Sequence, residues 1–261
     1  MKRKKRSKRR QLQRGIYVLP NLLTTANLFC GFYAIVAAIQ GHFLKAAVAI
    51  MLAAVFDALD GKIARVTRTV SRFGLEYDSL SDVISFGVAP GILVYLWALQ
   101  PFGRLGWLAA LIFVACGTLR LARFNVQTHV AGGDYFNGLP IPAAAFMIAA
   151  TVVLHQRLGG TGTASHVTIL IMIYGLSCLM VSTLKYYSFK HAGLYRKMKF
   201  NMLVVIVMLF IVIAAEPAVA CFLIILCYVL SGPFTTLWLR KRREAGAASR
   251  ERLDTPHEEP V

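Results

Sequence analysis

Acidic residues are scarce in this chain of 261 residues, which has 12 Asp and Glu against 29 Lys and Arg and a formal net charge of +17. Charged residues of both signs make up only 16% of the sequence, whereas hydrophobic residues make up 57%. Several apolar runs approach the length of about 20 residues that crosses a bilayer. A soluble core does not need so many runs of that length, so the composition excludes an ordinary soluble domain.

The sequence also lacks the cysteine pattern of a disulfide-rich or zinc-binding protein. Its five cysteines lie in apolar runs and none forms a Cys-x-x-Cys pair, so we interpret them as small buried apolar residues. The positive charge lies mostly in the connections and the two ends rather than along an aromatic-lined groove, which argues against specific nucleic-acid binding. Basic residues near membrane ends instead set topology and contact anionic membrane lipid.

The continuous apolar runs predict an all-α integral membrane protein, because lipid offers no hydrogen-bond partners to the backbone and the runs do not alternate. We predict about eight transmembrane helices, at residues 18–39, 43–60, 76–99, 104–122, 141–157, 166–184, 200–215 and 217–239. The chain then divides into a basic cytoplasmic arm (1–16), a transmembrane catalytic domain (17–239) and a charged cytoplasmic tail (240–261).

The distribution of basic residues orients these spans. Eight spans place both termini on one side of the membrane, and 26 of the 29 Lys and Arg fall in pieces of the chain on that side. The exceptions are Lys45, Arg104 and Arg157. Basic residues favour the cytoplasmic side, so we expect both termini and the loop 61–75 to be cytoplasmic.

Five of the seven acidic residues before position 240 lie between residues 57 and 82. Asp57 and Asp60 are three residues apart, and Asp78 and Asp82 are four apart, so each pair shares one face of a helix. Four unpaired like charges cannot lie together, so either some of the carboxylates are protonated or cations lie among them. Carboxylate oxygens suit Mg²⁺, Mn²⁺ or Ca²⁺, and of these we expect Mg²⁺ or Mn²⁺, as one ion or two. The alternative is a set of salt bridges to Lys62, Arg65, Arg68 and Arg72.

These residues belong to a longer pattern, Asp57-x-x-Asp60-Gly61-x-x-Ala64-Arg65, followed by eight residues and then Gly74-x-x-x-Asp78-x-x-x-Asp82. The pattern resembles the signature of the CDP-alcohol phosphotransferases at every defined position. The resemblance implies a six-helix core, usually dimeric, to which the last two helices are an addition, and a CDP-linked donor. It implies metal ligation by Asp57, Asp60 and Asp78 with Asp82 close by, Asp82 as general base, and CDP-lipid binding by Gly61, Ala64, Arg65 and Gly74.

Segments outside the signature resemble the serine-using branch of this family, the membrane-bound phosphatidylserine synthases. They are the run from Pro20 to Phe32, in which Asn27 stands where many relatives carry Arg, the run Arg120–Asn125, the run Phe136–Pro142 and Ser188–Lys190. This resemblance implies transfer of a phosphatidyl group from CDP-diacylglycerol to L-serine in a bacterial inner membrane. The candidate acceptor-binding residues are Asn27, Arg120, Arg123, Asn125 and Asn137.

Several alternatives remain open from the sequence. Asn27 could make an interhelical hydrogen bond, and Arg120 and Arg123 could serve only as topology charges. The acceptor could be glycerol 3-phosphate or inositol phosphate rather than serine. Two further classes are a cation transporter that uses the acidic cluster as its ion site and a polybasic membrane scaffold without catalysis.

Overall fold

The computed structural model describes the backbone of residues 2–67, 71–128, 135–160, 162–164, 166–187 and 215–234. Side chains are described over the same ranges except at 2–19, 64–65, 67, 127–128, 135–137 and 185–187. The predicted span 200–215, apart from its last residue, and the predicted tail 240–261 therefore lie outside the described residues.

Within the described residues, seven helices coincide with the other seven predicted spans. They are α1 (Lys2–Ile39), α2 (Phe43–Thr67), α3 (Arg72–Phe102), α4 (Arg104–Thr128), α5 (Ile141–Arg157), α6 (Val167–Val181) and α7 (Pro217–Phe234). Four stretches are long and apolar enough to cross a membrane, namely Pro20–Ile39, Arg72–Phe102, Arg104–Val126 and Pro217–Phe234. The helices indicate a membrane protein, while the number of eight spans stays a prediction.

The third helix is continuous, but its hydrogen bonding changes along its length. α3 is π-helical over Val83–Val88 and Tyr95–Leu99 and ends in a 3₁₀ turn at Gln100–Phe102. At the end of the first π segment the N–H of Ala89 bonds to the carbonyl of Ile84, five residues back. Pro90 follows and has no N–H to donate. The wider turn begins directly after Asp82, so it changes the direction of the side chains that follow the acidic pattern.

Small side chains form the seam between α1 and α2. Three alanines of α1 and four of α2 are buried in one apolar core, namely Ala34, Ala37, Ala38, Ala46, Ala47, Ala49 and Ala53. Small residues let helix backbones approach closely, which drives helix association where lipid removes the hydrophobic effect. Large apolar side chains such as Phe29, Phe32 and Val55 are instead exposed on the outer face, where a bilayer would cover them.

A short antiparallel ribbon is the one departure, among the described residues, from the predicted all-α chain. Strand β1 (Tyr135–Asn137) pairs with β2 (Lys185–Tyr187), and Asn137 lies opposite Lys185. Gly138 follows β1 with φ +82°, and a side chain there would collide with the carbonyl of Met180. Only glycine suits both the backbone angle and the space, so the turn after β1 lies directly against the end of α6.

The contact of α1 with α3 gives a stability prediction. A Cβ added to Gly31 would lie 2.7 Å from the backbone Cα of Ser85, and a backbone atom cannot move aside as a flexible side chain can. We expect Gly31→Ala to lower the free energy of unfolding by about 1–3 kcal/mol, the usual cost of overpacking. The measurement is the midpoint of thermal unfolding of the purified protein in detergent.

Gly175→Ala is the matched control, because a Cβ added at this position in α6 meets nothing within 4 Å. Alanine is also favoured over glycine inside a helix by about 0.5–1 kcal/mol, so this variant should be as stable as the wild type or more stable. Equal midpoints for the two variants would contradict the close approach of α1 and α3.

Candidate active site

The acidic side chains converge where α2 ends and α3 begins. One carboxylate oxygen from each of Asp57, Asp60 and Asp78 lies within 4.8 Å of the others, and Asp82 interacts electrostatically with all three. Asp60 and Asp82 are buried, with 4% and 8% of their surface exposed, whereas Asp57 and Asp78 are half-buried. The two helical spacings therefore bring the four carboxylates together, as the sequence predicted.

The cluster fits a hard divalent cation. Carboxylate oxygens are the ligands that Mg²⁺ and Mn²⁺ prefer, and three residues offer them within one small volume. The Oδ1 atom of Asp78 is buried and has no hydrogen-bond partner in the part of the chain that the structure describes. A buried oxygen of this kind needs a partner, which a cation between the carboxylates would supply while also offsetting their mutual repulsion.

Helix α1 supplies hydrogen bonds to two of the carboxylates. Thr24 Oγ1 donates to Asp60 Oδ2 at 3.0 Å, and the backbone N–H of Gly61 bonds to the same carboxylate. Asn27 Nδ2 donates to Asp82 Oδ1 at 3.1 Å, which is the interhelical hydrogen bond that the sequence left open. Thr24 and Asn27 are buried, with 3% and 0% exposed, so α1 forms the inner wall of the site.

Two serines of α3 donate hydrogen bonds to backbone carbonyls of α1. Ser81 Oγ donates to the carbonyl of Thr24 at 3.2 Å, and Ser85 Oγ donates to the carbonyl of Asn27 at 3.0 Å. The sequence alone predicts no role for Thr24, Ser81 or Ser85. A signal was present, because Thr24, Asn27 and Gly31 recur at spacings of three and four and so share one face of α1.

The predicted acceptor residue Arg120 is buried and interacts electrostatically with Asp82, the proposed base. Only 9% of its surface is exposed, and it also interacts electrostatically with Tyr228. Its guanidinium carbon lies 5.6 Å from the ring centre of Phe124. Its buried Nε has no hydrogen-bond partner among the described residues. Tyr228 belongs to α7, a helix for which the sequence alone predicts no role in the site.

Two other acceptor candidates, Arg123 and Asn125, form hydrogen bonds to α6 and α3. Arg123 Nη1 donates to the carbonyl of Val181 at 3.4 Å, toward the end of α6. Asn125 Nδ2 donates to the Oγ of Ser79, the residue that follows Asp78, at 2.9 Å. Asn137 lies in β1, and its side chain is outside the described residues.

The predicted CDP-lipid residues are only partly described. Gly61 borders Asp60, and the N–H of Gly74 bonds to Ser71 Oγ at 3.0 Å, which caps the start of α3. Ala64 and Arg65 lie in α2, with side chains outside the described residues.

The salt-bridge alternative has no support among the described residues. Lys62 and Arg72 form no salt bridge with the four carboxylates in the described part of the chain. The side chain of Arg65 and the whole of Arg68 lie outside the described residues.

The family follows from a direct match. Residues 17–181 match the family model described as CDP-alcohol phosphatidyltransferase. The chain belongs to this family. The match runs from α1 to the last residue of α6, so α7 and its Tyr228 lie beyond the matched region.

The sequence is similar to those of individual relatives over most of their length. The chain is 36% identical over 226 residues to a Helicobacter pylori protein named CDP-diacylglycerol--serine O-phosphatidyltransferase, covering 86% of this chain and 93% of that protein. It is 42% identical over 170 residues to the archaetidylserine synthase of Methanothermobacter thermautotrophicus, covering 64% and 69%. A Methanocaldococcus jannaschii protein with the same name as the Helicobacter one is 39% identical over 174 residues, covering 66% and 75%.

The cluster geometry predicts metal binding that depends on single carboxylates. We expect Asp57→Asn to weaken Mn²⁺ binding by roughly 10–100-fold or more, because loss of outer-shell partners alone costs that much in metal sites. Binding can be followed through the electron paramagnetic resonance signal of free Mn²⁺ during titration of the purified protein.

Glu76→Gln is the matched control, because Glu76 lies in the same segment and is exposed and outside the cluster. Its Mn²⁺ affinity should equal that of the wild type. Equal affinities for wild type and Asp57→Asn would show that the cluster does not hold the ion.

Proposed function

We propose that this protein transfers the phosphatidyl group of CDP-diacylglycerol to L-serine, giving phosphatidylserine and CMP. The observation that carries the chemistry is the convergence of Asp57, Asp60 and Asp78 within 4.8 Å, with Asp82 beside them. The family match and relatives whose names specify serine transfer support the donor and the acceptor. The chain covers 93% of the Helicobacter relative, so the resemblance is not confined to the signature.

Donor binding would centre on the carboxylates. Asp57, Asp60, Asp78 and Asp82 would hold Mg²⁺ or Mn²⁺, as one ion or two, which when bound supplies positive charge for the pyrophosphate oxygens and the departing CMP. Gly61, Ala64 and Gly74 have little or no side chain, which lets a nucleotide approach the backbone closely. Arg65 would pair with a phosphate oxygen.

Asp82 is the proposed general base. Its Oδ1 accepts the hydrogen bond from Asn27, and its Oδ2 makes no hydrogen bond to a described residue. Oδ2 would take the proton of the serine hydroxyl while the serine oxygen forms a bond to the phosphorus that carries diacylglycerol. The bond from that phosphorus to the bridging oxygen breaks, and the oxygen leaves with its electron pair as part of CMP.

Arg120 is the proposed partner of the serine carboxylate. A carboxylate acceptor needs a cation near the base, and Arg120 is buried and interacts electrostatically with Asp82. Arg123 is less suitable because its guanidinium donates to a backbone carbonyl at the end of α6. Asn125 and Asn137 stay candidates for the serine amine, and Asn27 would act on the acceptor through Asp82.

The cellular setting completes the proposal. We propose eight spans, made of a six-helix core and two C-terminal helices, with both termini and the active site cytoplasmic in a bacterial inner membrane. The protein would act as a homodimer. CDP-diacylglycerol would keep its acyl chains in the cytoplasmic leaflet while its pyrophosphate reaches the carboxylates at the ends of α2 and α3.

Release of CMP tests the function directly. With purified protein, CDP-diacylglycerol and Mn²⁺ or Mg²⁺, we expect CMP to form when L-serine is present and to stop when EDTA removes the metal. Glycerol 3-phosphate or inositol phosphate replacing serine would identify another acceptor. Cation flux in liposomes without CMP release would indicate a transporter. Absence of both activities would indicate a scaffold without catalysis.

Asp82→Asn is the informative loss variant in this assay. The amide cannot accept the proton, so turnover should fall by at least about 100-fold, within the range for general bases, while CDP-diacylglycerol binding is largely kept. Glu76→Gln should keep full turnover. Equal loss of binding and turnover in Asp82→Asn would instead make Asp82 mainly a metal ligand.

The acceptor pocket gives a separate kinetic prediction. We expect Arg120→Gln to raise the KM for serine by about tenfold or more, because a charge-assisted hydrogen bond is lost, with the KM for CDP-diacylglycerol unchanged. Arg123→Gln is the matched control and should keep the wild-type KM for serine. The opposite ranking of the two variants would transfer the role to Arg123.

A further inference from the structure

A polar cavity lies at the end of the helix bundle away from the carboxylates. It has a volume of about 270 Å³ and is lined by His42 and Lys45 near the start of α2, Trp97 of α3, His155 and Gln156 of α5, and Gly160. Lys45 precedes Asp60 by 15 residues on α2, which corresponds to about 22 Å of helix. The cavity and the carboxylates therefore lie near opposite faces of the membrane.

The wall of the cavity is closely packed around His155. The loop after α5 is held by bonds from Gly160 N to the His155 carbonyl at 3.0 Å and from Ala164 N to the Trp97 carbonyl at 2.9 Å. A side chain at Gly160 would collide with the His155 ring, whose centre lies 5.4 Å from that of Trp97. His155 Nε2 is buried and finds no hydrogen-bond partner in the described chain.

The charge of the cavity favours an anion. None of its lining residues is acidic, and Lys45 forms no ion pair with a described residue. Arg157, the cation near the end of α5, is occupied by Glu216 through two hydrogen bonds of 3.1 and 2.9 Å. Lys45 is thus left to pair with a ligand, and the histidine N–H groups and Gln156 can donate hydrogen bonds.

An apolar groove continues from the cavity along the outside of α1 and α2. It has a volume of about 430 Å³ and is lined by Phe29, Tyr33, Val48 and Leu52, among others. Leu44 and Lys45 line both the polar cavity and the groove. A ligand seated on Lys45 could therefore place a charged group in the cavity and a long apolar chain in the groove.

We propose that this combined site binds a phospholipid with an anionic head group, taken from the leaflet opposite the carboxylates. The lipid phosphate would lie against Lys45 and the cavity donors, and one acyl chain would follow the groove between α1 and α2. A long side chain with a cationic end beside an apolar surface suits the boundary between head groups and acyl chains. The site is separate from the transfer reaction, so it does not depend on which alcohol is the acceptor.

Native mass spectrometry of the full-length protein in detergent tests the proposal with dioleoyl phosphatidylglycerol as probe. We expect Lys45→Gln to weaken retention of the lipid by about tenfold, as expected when one charge-assisted contact is lost. Arg104→Gln is the matched control, since Arg104 is another cation predicted on the same side and does not line the cavity. It should retain phosphatidylglycerol like the wild type.

Further measurements with other probes identify the ligand. Dioleoyl phosphatidylcholine has the same chains without net charge and should be retained more weakly than phosphatidylglycerol. Inorganic phosphate that stabilises the wild type in a Lys45-dependent way, without Lys45-dependent retention of lipid, would make the cavity an anion site and overturn the lipid proposal. Equal retention of phosphatidylglycerol by Lys45→Gln and Arg104→Gln would also overturn it.

A second copy of the chain is another occupant that the groove could accept. Val48→Cys tests this in native membranes with a bifunctional maleimide, using the wild type as background for the natural cysteines. Lipid in the groove predicts no new dimer band. A dimer band that appears only with Val48→Cys would assign the groove to a protein interface and overturn the proposal.

Discussion

The rest of the structure depends on how the chain accommodates the repulsion between four carboxylates placed together inside a membrane protein. Asp57, Asp60 and Asp78 approach within 4.8 Å, and the burial of Asp60 and Asp82 reduces the screening of their charges by water. The chain meets this in two ways. Neutral donors from α1 hold Asp60 and Asp82, while Asp78 keeps a buried oxygen that no described residue satisfies. The hydrogen bonds from α1 hold the cluster in place, and the unsatisfied oxygen of Asp78 is available to bind a cation.

In the proposed reaction this division gives the carboxylates different roles. Asp60 is held by Thr24 and Gly61 and would therefore be a preorganised ligand for the proposed metal. Asp82 receives a neutral amide donor from Asn27, which orients it without adding a positive charge that would weaken it as a base. An arginine in place of Asn27 would put a permanent charge beside the proposed base. Among the described residues, Arg120 of α4 interacts electrostatically with Asp82 and would be shared with the proposed carboxylate-bearing acceptor.

Most of the helices and the acidic cluster could be predicted from the sequence because both follow from local spacing. The pairs Asp57–Asp60 and Asp78–Asp82 share helix faces by the geometry of a single helix, and apolar runs mark helices without knowledge of their neighbours. The contacts of α1 could not be predicted in this way. Thr24 meets Asp60 across 36 residues and Asn27 meets Asp82 across 55. Such pairings, like the β1–β2 ribbon and Tyr228 beside Arg120, depend on how separate segments pack.

The length of α2 links the two sites and also keeps them apart. Its first turn carries Lys45 and its later turns carry Asp57 and Asp60, so a rigid helix fixes their separation at about 20 Å. A lipid with its phosphate at Lys45 cannot also place that phosphate on the carboxylates. Any lipid bound there is therefore not a substrate in transit but a separate ligand, drawn from the other leaflet. The alanine seam of α1 and α2 is one route by which such a lipid would influence catalysis, because α1 also carries Thr24 and Asn27, which bond to Asp60 and Asp82.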